Sequence, residues 1–386
     1  MGTQNFSINK ITRKVLCCFF VIHTIVLSTI TYSFAAKSIK LVKDSVLVIA
    51  PKINNPRNSE GAFITLKSGR ICFIYSHYTG ASSSDHASAY LASRFSDDNG
   101  KTWSQTDKLE VAQEGKMNVM SVSLLRLTNG QIALFYLRKN SNDDCMPMLR
   151  FSNNEGANWT EPISCITDQQ GYFVLNNDRV IQLKNGRLIF AVALHQQKGS
   201  SVWSNTGRLF SYYSDDNGKV WKQGLEIPNL TGVVTQEPGI IELKTGKLWM
   251  FIRTNTGVQY QSFSNDKGAS WSAIEPTNIV SPLSPASIKR IPSTGDLLLV
   301  WNNNDGTDLL MKGKRTPLTI AISKDDGQHW DKLKVLENNP DGWFCYTAIT
   351  FVEKHVLMAY CAGSQINKTH LSKTQISKIA ISDIYQ

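Results

Sequence analysis

Phe95-Ser96-Asp97-Asp98-Asn99-Gly100-Lys101-Thr102-Trp103 is the stretch on which the fold turns, because the chain repeats it four more times. FSNNEGANW runs from Phe151 to Trp159, YSDDNGKVW from Tyr213 to Trp221, FSNDKGASW from Phe263 to Trp271 and ISKDDGQHW from Ile322 to Trp330. The shared skeleton is S-x-D-x-G-x-x-W, with Asn154 in place of the Asp in the second copy. Each residue type has a mechanical job. A strand ends at the Ser, and the carboxylate accepts bonds from free amides of the turn it sits in. Gly supplies a positive φ, and the Trp begins the returning strand with its ring under the hairpin. Turn capping accounts for every position, so the boxes read as structural and the chemistry must sit elsewhere.

The spacing of the boxes gives the architecture. Their serines stand at 96, 152, 214, 264 and 323, so successive gaps are 56, 62, 50 and 59 residues. Segments of similar length precede the first box and follow the last, which makes six units, five with a box and one without. Between boxes the chain reads as short β-runs joined by Lys-Ser-Gly, Lys-Asn-Gly and Lys-Thr-Gly turns: 61–66 with 71–76, 180–183 with 187–193, 239–243 with 248–253, and 297–302. Four-stranded antiparallel units repeated about an axis predict an all-β, six-bladed β-propeller, an arrangement that protects most sheet edges. No Pro-, Ser- or Gly-rich linker interrupts it, so residues 37–386 read as one domain.

The first 36 residues read differently. Lys10, Arg13 and Lys14 precede an apolar run from Val15 to about Ile30, and Tyr32-Ser33-Phe34-Ala35-Ala36 follows. This is the pattern of a secretory signal peptide cleaved near Ala35 or Ala36, which implies a secreted or periplasmic protein. A membrane anchor fits less well, since the run holds His23, Thr24, Ser28 and Thr29 and is short of the roughly 20 apolar residues a span needs. Loss of those three basic residues lowers the net charge from +10 to +7. No Lys/Arg run is long enough to track a nucleic acid, so the excess favours at most an anionic small substrate. Of seven Cys, Cys17 and Cys18 lie in the leader, and the other five fit no metal-binding spacing. Cys145 with Cys165 is the one pair worth testing as a disulfide, whereas Cys72, Cys345 and Cys361 sit in apolar runs as buried thiols.

Five such boxes on a six-unit pattern resemble the sialidase (neuraminidase) superfamily of bacterial type, with its Asp-box (BNR) repeats, over nearly all of the chain after the leader. The resemblance implies three arginines that grip the substrate's carboxylate, a task suited to a planar guanidinium that is always charged. It assigns them to Arg57 in Asn55-Pro56-Arg57-Asn58, to Arg253 at the end of the hairpin that follows Gln236-Glu237-Pro238, and to Arg315 before the fifth box, with Arg290 as a rival. It makes Tyr346, in Phe344-Cys345-Tyr346-Thr347, the nucleophile and Glu237 the base beside it. Asp85, in the loop Ser82-Ser83-Ser84-Asp85-His86, becomes the acid/base residue. Two features depart from the family pattern. The Arg-Ile-Pro signature is absent, and polar clusters appear at Arg57-Asn58-Ser59-Glu60 and Asn176-Asn177-Asp178-Arg179. Either the clusters are turn chemistry, or Asn177, Asp178 and Arg179 line the cavity as substrate ligands of a divergent branch.

What the resemblance implies is an exported, retaining exo-α-sialidase acting on sialylated glycans, with no cofactor and no metal. The alternatives are a glycosidase for another acidic sugar, an inverting sialidase, or a propeller that binds glycans without cleaving them. The geometric expectation is that Arg57, Asp85, Glu237, Arg253, Arg315 and Tyr346 line one central cavity. The three guanidiniums would share a wall, and Tyr346 would lie within hydrogen-bond reach of Glu237.

Overall fold

The structure is a computed structural model that describes residues 39–386; the leader expected at 1–36 lies outside the described residues. Among the described residues, apart from a five-residue helix at Ile381–Tyr385, the regular structure is β. The repeated turns close as the sequence predicts. Ser96 Oγ accepts from the Gly100 amide at 2.9 Å, and Asp98 Oδ1 accepts from Lys101 and Thr102 amides at 3.0 and 2.9 Å. The same pattern recurs at Ser214–Asp216, Ser264–Asp266 and Ser323–Asp325. In the second copy Asn154 Oδ1 takes the carboxylate's place, accepting from the Asn158 amide at 3.0 Å. The tryptophan more often ends the turn than begins the next strand: Trp103 is separated by several residues from the strand Lys108–Val111.

These turns also join neighbouring units. A Cβ added to Gly218 would lie 2.7 Å from Leu149 in the preceding unit, so only glycine allows the turn to seat there. Gly100 makes the equivalent approach to Leu357, at 2.7 Å, which brings the first box against the last sheet of the chain. Trp221 fills the space between units, its ring 6.0 Å from Phe135 and 5.0 Å from Phe190. Sheets packed face to face bury the inner strands on both sides, which is why Leu188–Gln197 reads as an almost unbroken apolar run.

Hydrogen bonding groups the described strands into fewer sheets than the six blades expected. They form five sheets of four or more strands, none of which closes on itself. Asn58–Thr65, Ile71–Tyr78, Ala89–Ser96 and Lys108–Val111 make the first, Thr235–Glu242 through Glu275–Val280 another, and Ser287–Arg290 through Asp331–Glu337 a third, which Ile39–Lys40 extends in parallel. The second and third units share one nine-stranded sheet, joined where Tyr172 pairs in parallel with Cys145. The boxless last unit supplies only Gly342–Val352, His355–Ser364 and Thr374–Ala380, and its fourth strand is Asp44–Ile49 from the start of the chain. Early residues therefore complete the last sheet, where the sequence reading assigned them to the first unit. Cys145 and Cys165, the pair expected to be a candidate disulfide, are both buried free thiols, as are Cys72, Cys345 and Cys361.

The turn capping yields a stability prediction. Burial opposes ionisation of Asp266, but bonds from Ser270 and Ser264 outweigh it and hold the carboxyl down at about 2. Its contribution is present above the unfolded carboxylate range and is lost as pH falls through the folded value. Asp266→Ala is expected to cost about 1–2 kcal/mol in urea unfolding at neutral pH. Asp266→Asn should cost clearly less, because Asn154 already performs the same job in the second turn.

Candidate active site

The first strand of most units carries an irregularity at the same place. Pairing shifts between Ser59 and Ala62, between Met120 and Ser123, between Gln236 and Gly239, and between Cys345 and Ala348. The residues inside those shifts hold left-handed backbone: Glu60 at φ 58°, Ser121 at 60°, Glu237 at 46° and Tyr346 at 57°. In the third unit Asp178 does so at 56°, in the turn between Gly171–Val174 and Ile181–Gln182. Such bulges cost backbone energy and re-aim side chains, and they recur next to functional sites. Pro238 suits one of them because it has no N–H to lose from the ladder. Here they turn Glu60, Ser121, Glu237 and Tyr346 into one cavity, whose wall also includes Asp85, Lys139 and Asn176.

Two charge clusters face each other across that space. In one, the Tyr346 hydroxyl donates to Glu237 Oε1 at 2.9 Å, and Arg253 Nη1 donates to Glu237 Oε2 at 2.6 Å. Arg315 lies over the Tyr346 ring at 5.5 Å and over Trp343 at 5.0 Å. Burial would raise the Glu237 carboxyl, but the guanidiniums of Arg253 and Arg315 and the bonds from Arg253 and Tyr346 prevail and hold it below the ordinary value. Burial and the field of Glu237 push the Tyr346 phenol well above its usual value, so it is protonated and neutral. Arg253 Nε, Arg315 Nη1 and Asn176 Nδ2 are buried donors without an acceptor in the protein. That donor set suits an anion with several acceptor oxygens.

The other cluster centres on Arg57, which is 1% exposed. Its Nε donates to Ser59 Oγ at 2.8 Å, Nη1 to Asp85 Oδ1 at 2.5 Å and Nη2 to Glu60 Oε1 at 2.6 Å, while its face covers Tyr78 at 4.4 Å. Glu60 Oε2 accepts from Ser121 Oγ at 2.7 Å. Burial raises the Glu60 carboxyl against the pull of Arg57. Asp85 sits on its loop with 56% of the side chain exposed. Desolvation would raise its carboxyl, but Arg57, helped by Lys139 and His86, prevails and keeps it below the ordinary value. The loop is pinned through the Asp85 carbonyl, which accepts from Asn118 Nδ2 at 2.9 Å and Lys139 Nζ at 2.8 Å.

The expectation that six side chains would line one cavity with the guanidiniums on one wall needs correction. Asp85, Glu237 and Tyr346 line it, and Arg253 and Arg315 back the Tyr346 side. Arg57 stands apart from them because it neutralises Glu60 and Asp85, and all three of its nitrogens already have acceptors. Arg290 is remote, bonded to Asp326 beside the fifth turn and to the carbonyls of Gly295 and Glu242. Asn177, Asp178 and Arg179 are at the axis, but their side chains bond other parts of the protein. Asn177 Nδ2 donates to the carbonyls of Gly61 and Tyr346, Asp178 accepts from Lys289, and Arg179 donates to the Ala286 carbonyl. Only Asn176 of that tetrad lines the cavity. Lys139 and Ser121 escaped the sequence reading. The charge that closes the apolar run 132–137 is Arg138, so that signal does not single out Lys139.

Comparison with solved structures places the fold. The fold matches a NanB sialidase from Streptococcus pneumoniae with TM-score 0.67 at 16% identity, covering 89% of this chain and 72% of that one. It matches a leech intramolecular trans-sialidase with TM-score 0.68 at 14% identity, over 90% and 71% respectively. Both likenesses are of fold. The chain itself belongs to the BNR repeat-like domain family, whose pattern matches residues 74–358, and so to the sialidase/BNR superfamily. Among curated relatives, a sialidase of Clostridium perfringens is 26% identical over 266 residues, 61% of this chain and 67% of that protein. The anhydrosialidase of Macrobdella decora is 29% identical over 187 residues, 46% of this chain but only 23% of that protein's length.

The Arg57–Glu60 pair makes a quantitative prediction. Both side chains are nearly inaccessible, at 2% and 4%, so removing one partner strands a buried charge. Arg57→Met should destabilise the fold by about 3–5 kcal/mol in chemical denaturation. Adding Glu60→Gln to that variant should restore much of the loss, because the stranded charge is then gone.

Proposed function

We propose that this protein is an exported exo-α-sialidase, built as a ring of six blades, that releases terminal sialic acids from glycoconjugates with retention of configuration. The observation that carries the reading is the 2.9 Å bond from the Tyr346 hydroxyl to Glu237, between residues 109 positions apart. A carboxylate nucleophile would be repelled by the carboxylate of the sugar, whereas the neutral phenol is not. Glu237, held ionised, takes the phenolic proton as the oxygen attacks the anomeric carbon. The free donors of Arg253 and Arg315 face the sugar carboxylate. Asp85 donates its proton to the leaving oxygen and then activates water. The six-blade reading draws support from the nine-stranded sheet, which divides naturally at the single Tyr172–Cys145 pairing, and from the seat of the Gly100 turn on Leu357. Export rests on the basic and apolar leader of residues 1–36, and implies a secreted or periplasmic enzyme.

A second reading follows from Arg57. Its nitrogens are already engaged by Glu60, Asp85 and Ser59, so the carboxylate grip is thinner than three free arginines would provide. This favours an enzyme for another acidic sugar, or one that inverts. Proton NMR of the first-formed anomer separates inversion from retention.

The direct test is release of free sialic acid from a sialyllactose or mucin panel. Glu237→Gln is expected to lower kcat about 10²–10⁴-fold, and Tyr346→Phe by at least as much. Full activity in Tyr346→Phe would overturn the mechanism and leave the substrate class standing. Because Arg57 keeps Asp85 ionised in the free enzyme, kcat/KM should rise as pH falls from neutrality toward the carboxylate range. Asp85→Asn should abolish that rise as well as most of the activity.

A further inference from the structure

Asn176-Asn177-Asp178-Arg179 touches every sheet of the molecule. Asn177 Nδ2 reaches the carbonyls of Gly61 at 2.8 Å and Tyr346 at 3.2 Å, in the first and last units. The Asp178 amide donates to the Val122 carbonyl at 2.9 Å, and the Arg179 amide to Ser123 Oγ at 3.0 Å, both in the second unit. The Asp178 carboxylate accepts from Lys289 Nζ at 2.9 and 3.0 Å in the fifth unit, and from the Ile349 amide at 2.9 Å in the sixth. The Arg179 guanidinium donates to the Ala286 carbonyl and lies 5.0 Å above the Phe251 ring of the fourth unit. Asn177 Nδ2, both Asp178 oxygens and Arg179 Nη2 are committed to holding protein, while Asn177 Oδ1 and Arg179 Nε are buried without a partner.

The backbone they hold is that of the reacting residue. A bulge removes ladder partners, and Gly342–Val352 is the end strand of its sheet, so carbonyls and amides in and beside the bulge must find others. Around Tyr346 those partners come from the third and fifth units. Asn177 takes the Tyr346 carbonyl, Ser287 Oγ takes the Thr347 carbonyl at 2.7 Å, Lys289 takes the Ile349 carbonyl at 2.7 Å, and Asp178 takes the Ile349 amide. Lys289 and Asp178 pair with each other, so these are one connected frame. The same Asn177 amide steadies Gly61, next to Glu60 in the left-handed bulge on the other side of the cavity.

We propose that Asn177 and Asp178, with Ser287 and Lys289, are positioning residues that lock Tyr346 in its left-handed backbone so that its hydroxyl meets Glu237, and that they do not bind substrate. The proposal rests on the reading of Tyr346 as nucleophile. A shift of about 1 Å in a reacting atom can cost on the order of 100-fold in rate. Loss of the frame therefore lowers kcat and leaves KM nearly unchanged, whereas loss of a substrate ligand raises KM.

The test compares Asn177→Ala, Ser287→Ala and their double variant in the full chain, assayed on an aryl sialoside and normalised to the folded fraction. Asn177→Ala is expected to lower kcat about 10–100-fold with KM within about threefold. The two changes should be non-additive, because both release the same strand. A crystal structure of Asn177→Ala should show the Tyr346 hydroxyl moved out of reach of Glu237. A normal kcat in folded Asn177→Ala, a rise in KM as the main effect, or an unmoved Tyr346 would each overturn the proposal. If Asn177→Ala fails to fold, Ser287→Ala and Asn177→Ser, which keeps one donor, are judged by the same criteria. Tyr346→Phe run in parallel keeps the two readings apart. If it is fully active the nucleophile reading has failed, and the displacement of Tyr346 in the crystal still decides whether the frame positions it.

Discussion

Asp178 accepts from Lys289 and from the amide of Ile349 at the point where the first strands of the units converge, and much of the site depends on that pairing. Strands meeting at an axis cannot hydrogen-bond to one another across it, so backbone groups in the bulges there depend on side chains from other units. Charge is the economical way to supply them, because one carboxylate or ammonium can serve several partners. It is tolerable in a buried place only when each charge is paired. Asp178–Lys289, Arg57–Glu60 and Arg253–Glu237 meet that condition, and each holds a carboxylate that stands on left-handed backbone.

The electrostatics of the cavity follow from how these pairs are distributed. Glu237 is ionised because two guanidiniums outweigh its burial, and burial together with that charge keeps the Tyr346 phenol protonated. Across the space, Arg57 is shared between Glu60 and Asp85, so the one exposed carboxylate on the wall is tied to a buried one through a common cation. Altering Glu60 would change the field at Asp85 without touching it.

The periphery and the axis are under different constraints, which explains why the fold is matched at 16% identity. At the periphery a Ser, an Asp or Asn and a Gly suffice to make each turn, and the glycine also leaves room for the neighbouring unit. At the axis each unit contributes a different residue to a shared space. Glu60, Ser121, Asp178, Glu237 and Tyr346 occupy equivalent irregularities in their own units, yet no two play the same part.

The all-β architecture, the repeat length and the turn chemistry were legible in the sequence, because each depends on residues close together in the chain. Tyr346, Glu237 and Arg253 were singled out there through the resemblance to a known family, which says where its site residues stand relative to the boxes. Register lay beyond it. Whether the second and third units share a sheet, and whether Asp44–Ile49 completes the last one, is decided by pairing between strands far apart in sequence. So is the destination of Arg57, which the sequence marks only as a buried or exposed cation before a hairpin, and which the folded chain spends on two carboxylates. Asn177 and Asp178 make the same point most clearly. Four polar residues in a row announce a turn, but only the meeting of all the sheets at one axis determines that their side chains hold the backbone around Tyr346.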